Sequence, residues 1–562
     1  MEMFPGLIDK SKKKIKSESK MPKMKQRFKP YGPEQRELLL EDINDLLPKE
    51  HFARFLQKVV LKIDHSKLRE KYKGGGASAY DPVMLLLVWL LGYYYHIYTC
   101  RPLSKQLREN IAFMWISGKQ HPDFRTLNNF RVLLGEEIKQ VFKQTLQCAM
   151  TLGLIDGRRG FIDGTIIQAD ANKHKVVWKK QVKNGLERTE NEINELVNEV
   201  ERYALEEQEK EDNSHREDDD GDDGKLKRKV SMEEILETAE AIERELKGKQ
   251  KTEQEQERYD KSKRLNELRK REEKYKEKEK RLAGKNSYSP TDPDAPGVMD
   301  KEGCIRPGYT EVIITQNQIV LDYETANIGE RRLLKQAIEG SEENTGTELK
   351  QLVGDGNFGD ESNYTYLEGK EIEGYVKHNR YHKEKSKKWH REKIRLSAFR
   401  RQQVPDILIC PNGKQLELSE TVIKTLSDGY EKKVKKYQAC ESDCGCCPLK
   451  GYCTEAAFRT VELSERYEKQ REEADRRCKS EEGKKLLKQR GFQVETVFGE
   501  RKRNFCNKRF SLRGLKKVKI ESGLFYSIYN LKKIYNNIIK NMIEINEEIL
   551  NKSGIKPIQL LQ

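Results

Sequence analysis

A chain of 562 residues has room for two to four domains and a real hydrophobic core, so size leaves function open. Charged residues (36%) match hydrophobic ones (35%), which confines that core to a few segments and leaves long stretches solvated. A net charge of +16 disfavours cationic partners and points to a polyanion; nucleic acid is the densest, although ribosomal, membrane-surface and heparin-binding proteins share this balance.

Residues 1–30 are Lys-rich and predict a disordered basic arm, either laid along phosphates or serving solubility. No apolar stretch precedes Lys10 and Lys12, so a secretory route is not expected and the cytoplasm is. Residues 31–155 read as an all-α domain, with apolar positions at three- and four-residue spacing and helix starts at Asp81-Pro82 and at Pro102. Its most apolar run, 83–95, falls short of the roughly 20 residues a bilayer crossing needs and predicts a buried helix.

At 160–171 the pattern changes to a β-branched strand. Residues 176–288 are then almost all charged or Gln. Even so, Ile193, Leu196, Val200 and Tyr203, and later Met232, Ile235, Ala239, Ile242 and Leu246, keep helical spacing. This predicts an inserted, coiled-coil-like helical hairpin, either pairing protomers or acting as a spacer, with the acidic block 217–224 as its turn. That block is no calcium loop, since Asp223 stands where Gly is required and no Glu follows at the needed spacing.

Strand signals resume at 309–315 and 318–325, a helix follows near 331–338, and QLVGD and IEGYVKH read as further strands. With the insertion removed, the order is strand, strand, strand, helix, strand, helix, strand. That is the order of a ribonuclease-H-like mixed sheet, making the chain α+β with a catalytic domain at 156–545. A second, Cys-rich insertion at 382–487 precedes the helix containing Glu495.

Phosphodiester cleavage requires hard divalent cations held by carboxylates from separate elements. Asp163 follows Phe161 and Ile162 on the expected central strand, and Asp355 ends a strand between Gly354 and Gly356. Glu495 sits at the margin of the stripe formed by Val494, Val497 and Phe498. Singly, these are a turn residue, a loop residue and a helix-face charge; the assignment needs all three.

Past Glu495 the chain turns basic, and Arg501, Lys502, Arg503, Lys508, Arg509 and Arg513 are the expected DNA contacts, with Phe505 and Phe510 either packing in the core or stacking on a base. The stretch 377–393 is a second phosphate track. Cys440, Cys444, Cys447 and Cys453, with Cys446 and Cys410 as substitutes, have the spacing of a structural zinc site; the alternative is a set of unpaired thiols.

Several segments resemble bacterial insertion-sequence transposases of the DDE type. They are YDPVMLLLVWLLGYYY, RPLSKQLRENIAFMWISG and HPDFRTLNNFR in the helical domain, then DGTIIQADAN, TDPDA, DGNFGDESNYTYLE, IEGYVKHNRYHKE, QVETVFGERKRNF and NLKKI. The resemblance covers most of 70–175 and 290–535. It implies that Asp163, Asp355 and Glu495 hold two Mg²⁺ or Mn²⁺ ions. It also implies that Lys502 contacts the phosphate backbone, and that a homodimer cuts double-stranded DNA at terminal inverted repeats before the freed 3′-hydroxyl attacks target DNA. Asn357-Phe358 departs from the Gly-Tyr pair of relatives. Lys488 and Gly491 stand where a Tyr and an Arg precede the glutamate, with Arg490 one place off. The alternatives are a DNA-binding descendant that no longer cleaves and a coiled-coil scaffold.

Overall fold

The computed structural model describes residues 42–541 apart from 73–77, 136, 215–231, 300–302, 385, 388, 390–392 and 427. The basic arm at 1–30 and the acidic block at 217–224 lie outside the described residues. A short helix, Ile43–Leu46, falls in one unit, and the chain from Leu47 onward forms a second, compact one.

Helices at Phe52–Val60, Pro82–Tyr94, Cys100–Glu109, Ile111–Ile116, Phe124–Leu133 and Glu137–Thr151 build the N-terminal part of that unit. Asp81 caps the second of these by accepting from the Val83 and Met84 N–H groups, with Pro82 in its first turn. This helix has no polar face, and Trp89, Leu90 and Leu91 are fully buried, as expected of a core helix. Among the described residues no helix is long and apolar enough to cross a membrane.

The strands in chain order are β1 (Arg159–Gln168), β2 (Val177–Trp178), β3 (Ser287–Tyr288), β4 (Gly297–Met299), β5 (Ile305–Gln316), β6 (Ile319–Ala326), β7 (Gln351–Gly354) and β8 (Glu373–Val376). In the main sheet β5 lies between β1 and the pair β6 and β4, all antiparallel to it, and β7 and β8 follow on the far side of β1, parallel to it. The helix Leu334–Thr345 links β6 to β7, and Glu361–Gly369 links β7 to β8.

One hydrophobic core runs across position 155. Ile162, Val312 and Leu352 of the sheet pack with Phe525, Ile528 and Leu531 of the helix Leu515–Asn541, and with Trp89 and Phe142 of the N-terminal helices. A buried ion pair, Arg131 with Glu521 at 3.6 Å, crosses the same junction. The HPDFRTLNNFR segment thus fastens the helical part to the last helix.

The first insertion is three helices, Lys179–Ser214, Met232–Leu246 and Glu253–Leu282, where the sequence predicts a hairpin. They share a separate core of Ile193, Val200, Ile235, Ala239, Ile242, Leu265 and Leu268. The third helix contributes only Leu265 and Leu268 to that core, so its sequence carries almost no apolar period. β2 and β3 pair at the base of the bundle.

The second insertion contains an antiparallel sheet absent from the sequence reading. Its strands are β9 (Arg400–Gln402), β10 (Ile407–Ile409), β11 (Gln415–Thr425), β12 (Glu431–Ala439) and β13 (Thr460–Leu463), in the order β13-β12-β11-β10-β9.

Candidate active site

β1 and β7 set the two aspartates. Their parallel register pairs Phe161 with Val353. Both aspartates lie two residues further on, Asp163 within β1 and Asp355 just past β7 with its backbone still extended (φ −79°, ψ 161°). Side chains alternate along a strand, so Asp163 shares a face with Phe161, and Asp355 with Val353. Phe161, Val353 and Tyr375 pack on that face against Leu486 and Val494 of the segment carrying Glu495, whereas Ile162, Leu352 and Val376 point into the main core. Gly354 lets the strands close up just before Asp355, since a Cβ there would stand 2.8 Å from Ile162 Cγ2.

The helical stretches Glu481–Arg490, Gly491–Glu495, Thr496–Gly499 and Glu500–Asn504 run on without a break, widened into π-turns at Gly491–Glu495 and Glu500–Asn504. Gln493 ties this segment to the sheet: its side-chain carbonyl accepts from the Gln318 N–H at 2.9 Å and its main-chain carbonyl from the Thr315 hydroxyl at 3.4 Å. Glu495 is exposed beside this anchor.

Arg490 Nη1 lies 3.3 Å from Asp163 Oδ2, each side chain 19% exposed. Lys502 Nζ donates to the Thr165 hydroxyl, two residues beyond Asp163 on the same face. A π-turn bonds i to i+5 and takes one extra residue. Arg490, five residues before Glu495, is thereby returned to the side of the helix from which the sequence register had removed it. Among the described residues no three His, Cys, Asp or Glu side chains are gathered into a ready ion-holding group. The two aspartates and the segment that carries Glu495 lie on one side of the sheet.

The basic run divides in two. Arg501 is a correction: it is fully buried, paired with Glu311, and its Nε donates to Asn507 Oδ1 at 3.2 Å, so it holds the core together and has no surface to offer a phosphate. Phe505 and Phe510 are buried too, packed edge-on against Phe525 and Tyr309, which settles their role as packing. Arg503 and Lys508 are exposed. Arg509 and Arg513 reach Asp170 at 2.8 and 2.9 Å and line an open cleft of about 440 Å³ with Asn172, Lys173 and His174. Of the second basic stretch, 377–393, Lys377 directly follows β8 and His378 is buried, its ring held below the ordinary imidazole range by burial.

Two features escaped sequence reasoning. Glu330 accepts from Asn357 Nδ2 at 2.6 Å, and its other oxygen would lie 2.1 Å from a Cβ on Gly164, so a fourth carboxylate stands beside the residues that follow the two aspartates. Asn357 donates to it across the site, and no spacing in the sequence marks Glu330. The TDPDA motif is structural. Buried Asp292 accepts from the Tyr309 hydroxyl at 2.9 Å and the Gly514 N–H at 3.2 Å, and Asp294 accepts from the Leu515 N–H at 3.0 Å, fixing the start of the last helix. Burial raises the Asp292 carboxyl above the usual carboxylate range. Of the cysteines, Cys444, Cys447 and Cys453 line a small cavity with Cys410, while Cys440 is exposed outside it, its Sγ 3.0 Å from the Ser442 hydroxyl.

Two family models match the chain. One, described as a transposase DDE domain, covers residues 409–535, and the other, described as a transposase domain (DUF772), covers residues 41–133. The first takes in Glu495 and Lys502 and begins after both aspartates. Comparison with curated proteins found no match, and comparison with solved structures found none. The two family matches indicate an insertion-sequence DDE transposase. Transposases act on DNA, and DDE transposases generally use divalent metal ions.

Proposed function

We propose that this chain cuts DNA at the ends of its own insertion sequence and joins the freed 3′-hydroxyls to target DNA, using Asp163, Asp355 and Glu495 in a ribonuclease-H-like domain. The observation that carries the reading is the shared face: two aspartates in matching positions of parallel neighbours, against which the Glu495 segment packs. Adjacent strands lie about 4.8 Å apart, a spacing suited to two carboxylates acting on common ions. The sheet order, three antiparallel strands followed by two parallel to the first, supports the fold assignment.

All-oxygen donors suit Mg²⁺ or Mn²⁺, which when bound supplies Lewis acidity and a water made nucleophilic near neutral pH. The chain's own residues do the rest. Asp163, Asp355 and Glu495 provide the ligands, Arg490 orients Asp163, and Lys502 neutralises a phosphate of the cleaved strand. Lys508, Arg509 and Arg513 extend the track, and exchange of Asp170 for phosphate is inexpensive because surface ion pairs contribute little. Two copies holding paired ends in the cytoplasm complete the reading.

Purified full-length protein, incubated with Mg²⁺ and DNA bearing the element's terminal repeats, is expected to nick at the ends. Asp163→Ala, Asp355→Ala and Glu495→Ala should each lower the rate by more than about 100-fold, since even losing a residue that merely supports a ligand costs 10- to 100-fold. Equal cleavage by wild type and Asp163→Ala rejects the assignment, and DNA retention without cleavage by wild type favours a descendant that only binds.

A further inference from the structure

The Cys-rich insertion belongs to none of this chemistry, yet its thiols are not scattered. Cys410 lies in the turn joining β10 to β11, Cys444 in the short helix Glu441–Gly445 that follows β12 with Cys447 just past its end, and Cys453 at the end of the helix Lys450–Cys453 before β13. These three segments meet at one end of the five-stranded sheet, around a cavity of about 30 Å³. The volume suits a single ion, being only about twice what one water needs.

The turns are shaped to present sulfur. At Cys410-Pro411-Asn412-Gly413-Lys414 the chain folds back through Gly413 (φ +76°), so the Lys414 N–H donates to Cys410 Sγ at 3.3 Å. Asn412 Nδ2 of the same turn reaches Cys447 Sγ at 3.5 Å, spanning the two segments. Cys444 lies in the short helix Glu441–Gly445 and Cys447 just past its end, where its N–H donates to the Cys444 carbonyl at 3.4 Å and keeps the two close. Charge is arranged around the thiols: Lys450 and Arg459 line the same cavity, as do Lys414 and the Asp443 that pairs with it at 2.9 Å, and Arg459 Nη1 also donates to the Cys453 carbonyl at 2.8 Å. Three cations against one carboxylate leave an excess of positive charge that suits a dianion. All four cysteines are free and half-buried.

We propose that Cys410, Cys444, Cys447 and Cys453 bind one structural Zn²⁺ as a closed four-thiolate centre. Each thiol loses its proton on binding, so one Zn²⁺ and four thiols give a complex of charge −2 and four protons, and the cations offset that charge. Side-chain rotations into the cavity are required, since the sulfurs are not already drawn into one coordination sphere. Cys410, from a turn about 30 residues upstream, replaces Cys440 of the compact sequence motif. The ion staples three segments at one end of a sheet whose buried core is only seven side chains. This assignment is independent of the transposase reading.

The full chain, produced with zinc and dialysed, should carry one zinc per chain by elemental analysis. Its Co²⁺-exchanged form should show thiolate-to-cobalt charge transfer and tetrahedral ligand-field bands. Cys410→Ser and Cys447→Ser should lose the metal, whereas Cys440→Ser and Cys446→Ser keep it. Because a serine variant can simply fail to fold, Cys410→His is the second probe, expected to retain metal with cobalt bands moved to higher energy by one nitrogen ligand. The proposal is overturned by a metal-free wild type, by loss of metal in Cys440→Ser with retention in Cys410→Ser, or by a Cys410→His spectrum identical to wild type.

Discussion

Residues of the same type, a few positions apart, do opposite jobs in the basic run. Arg501 is enclosed with Glu311, Tyr526 and Phe525, and Glu311 also accepts from Ser522 and Tyr526. Removing the guanidinium leaves a carboxylate buried without its partner, which costs about 3–5 kcal/mol. Arg501→Ala is therefore expected to lower the thermal midpoint by many degrees. Lys508→Ala should leave the midpoint unchanged, weaken DNA binding evenly across sequences, and reduce the slope of log affinity against log salt by about 1. Thermal melts and binding titrations at several salt concentrations check both, and a stable Arg501→Ala that binds DNA poorly would reverse the assignment. The string of cations was plain in the sequence; which of them reaches solvent was not, because that depends on where β5 and the last helix close over the run.

Among the elements, the segment 481–504 shows how a helix repairs its register. Arg490 sits one residue too far from Glu495 for an α-helix to align them, and the π-turn Gly491–Glu495 supplies the extra residue. Arg490→Ala should slow end cleavage by about 10- to 100-fold, the scale for losing a residue that orients a metal ligand, with little change in melting. A rate equal to wild type in a single-turnover cleavage assay would remove Arg490 from the site. Elements with strong apolar character were legible from sequence: the helix Pro82–Tyr94, and β1, β5, β6, β7 and β8. The strands β11 and β12 were not. QLELSETVIKT and EKKVKKYQA are mostly Glu and Lys, and only Leu416, Val434, Tyr437 and Ala439 of the two are buried, so the period-2 signal is drowned by solvated charge.

At the scale of the whole molecule, the inserted bundle is separable. Its core shares no residue with the main one, and its two ends meet where Val177 pairs with Tyr288 and Trp178 with Ser287. Replacing 179–286 with a short Gly/Ser hairpin loop should leave a folded chain whose melting transition is close to the original, because the excised helices carry their own buried surface with them. Aggregation of the shortened chain would show the bundle to be part of the main fold. If the bundle pairs protomers, the excised chain keeps its fold and sediments as a smaller species on DNA. By contrast, the last helix cannot be cut away, since Glu521, Phe525 and Asn530 hold the sheet to the N-terminal helices.

The sequence by itself determined the α+β class, the central strands, the buried apolar helix and the three acidic residues worth testing, because each depends on local pattern: apolar runs, strand periods, aspartates next to glycine and a glutamate at the margin of a helical stripe. Only tertiary structure decided that Arg490 stands on Asp163, that Arg501 is interior, that Glu330 and Asn357 flank the site, and that Cys410 rather than Cys440 faces the other thiols. Those outcomes arise from segments distant in sequence meeting across a sheet, and no local period encodes which residues meet.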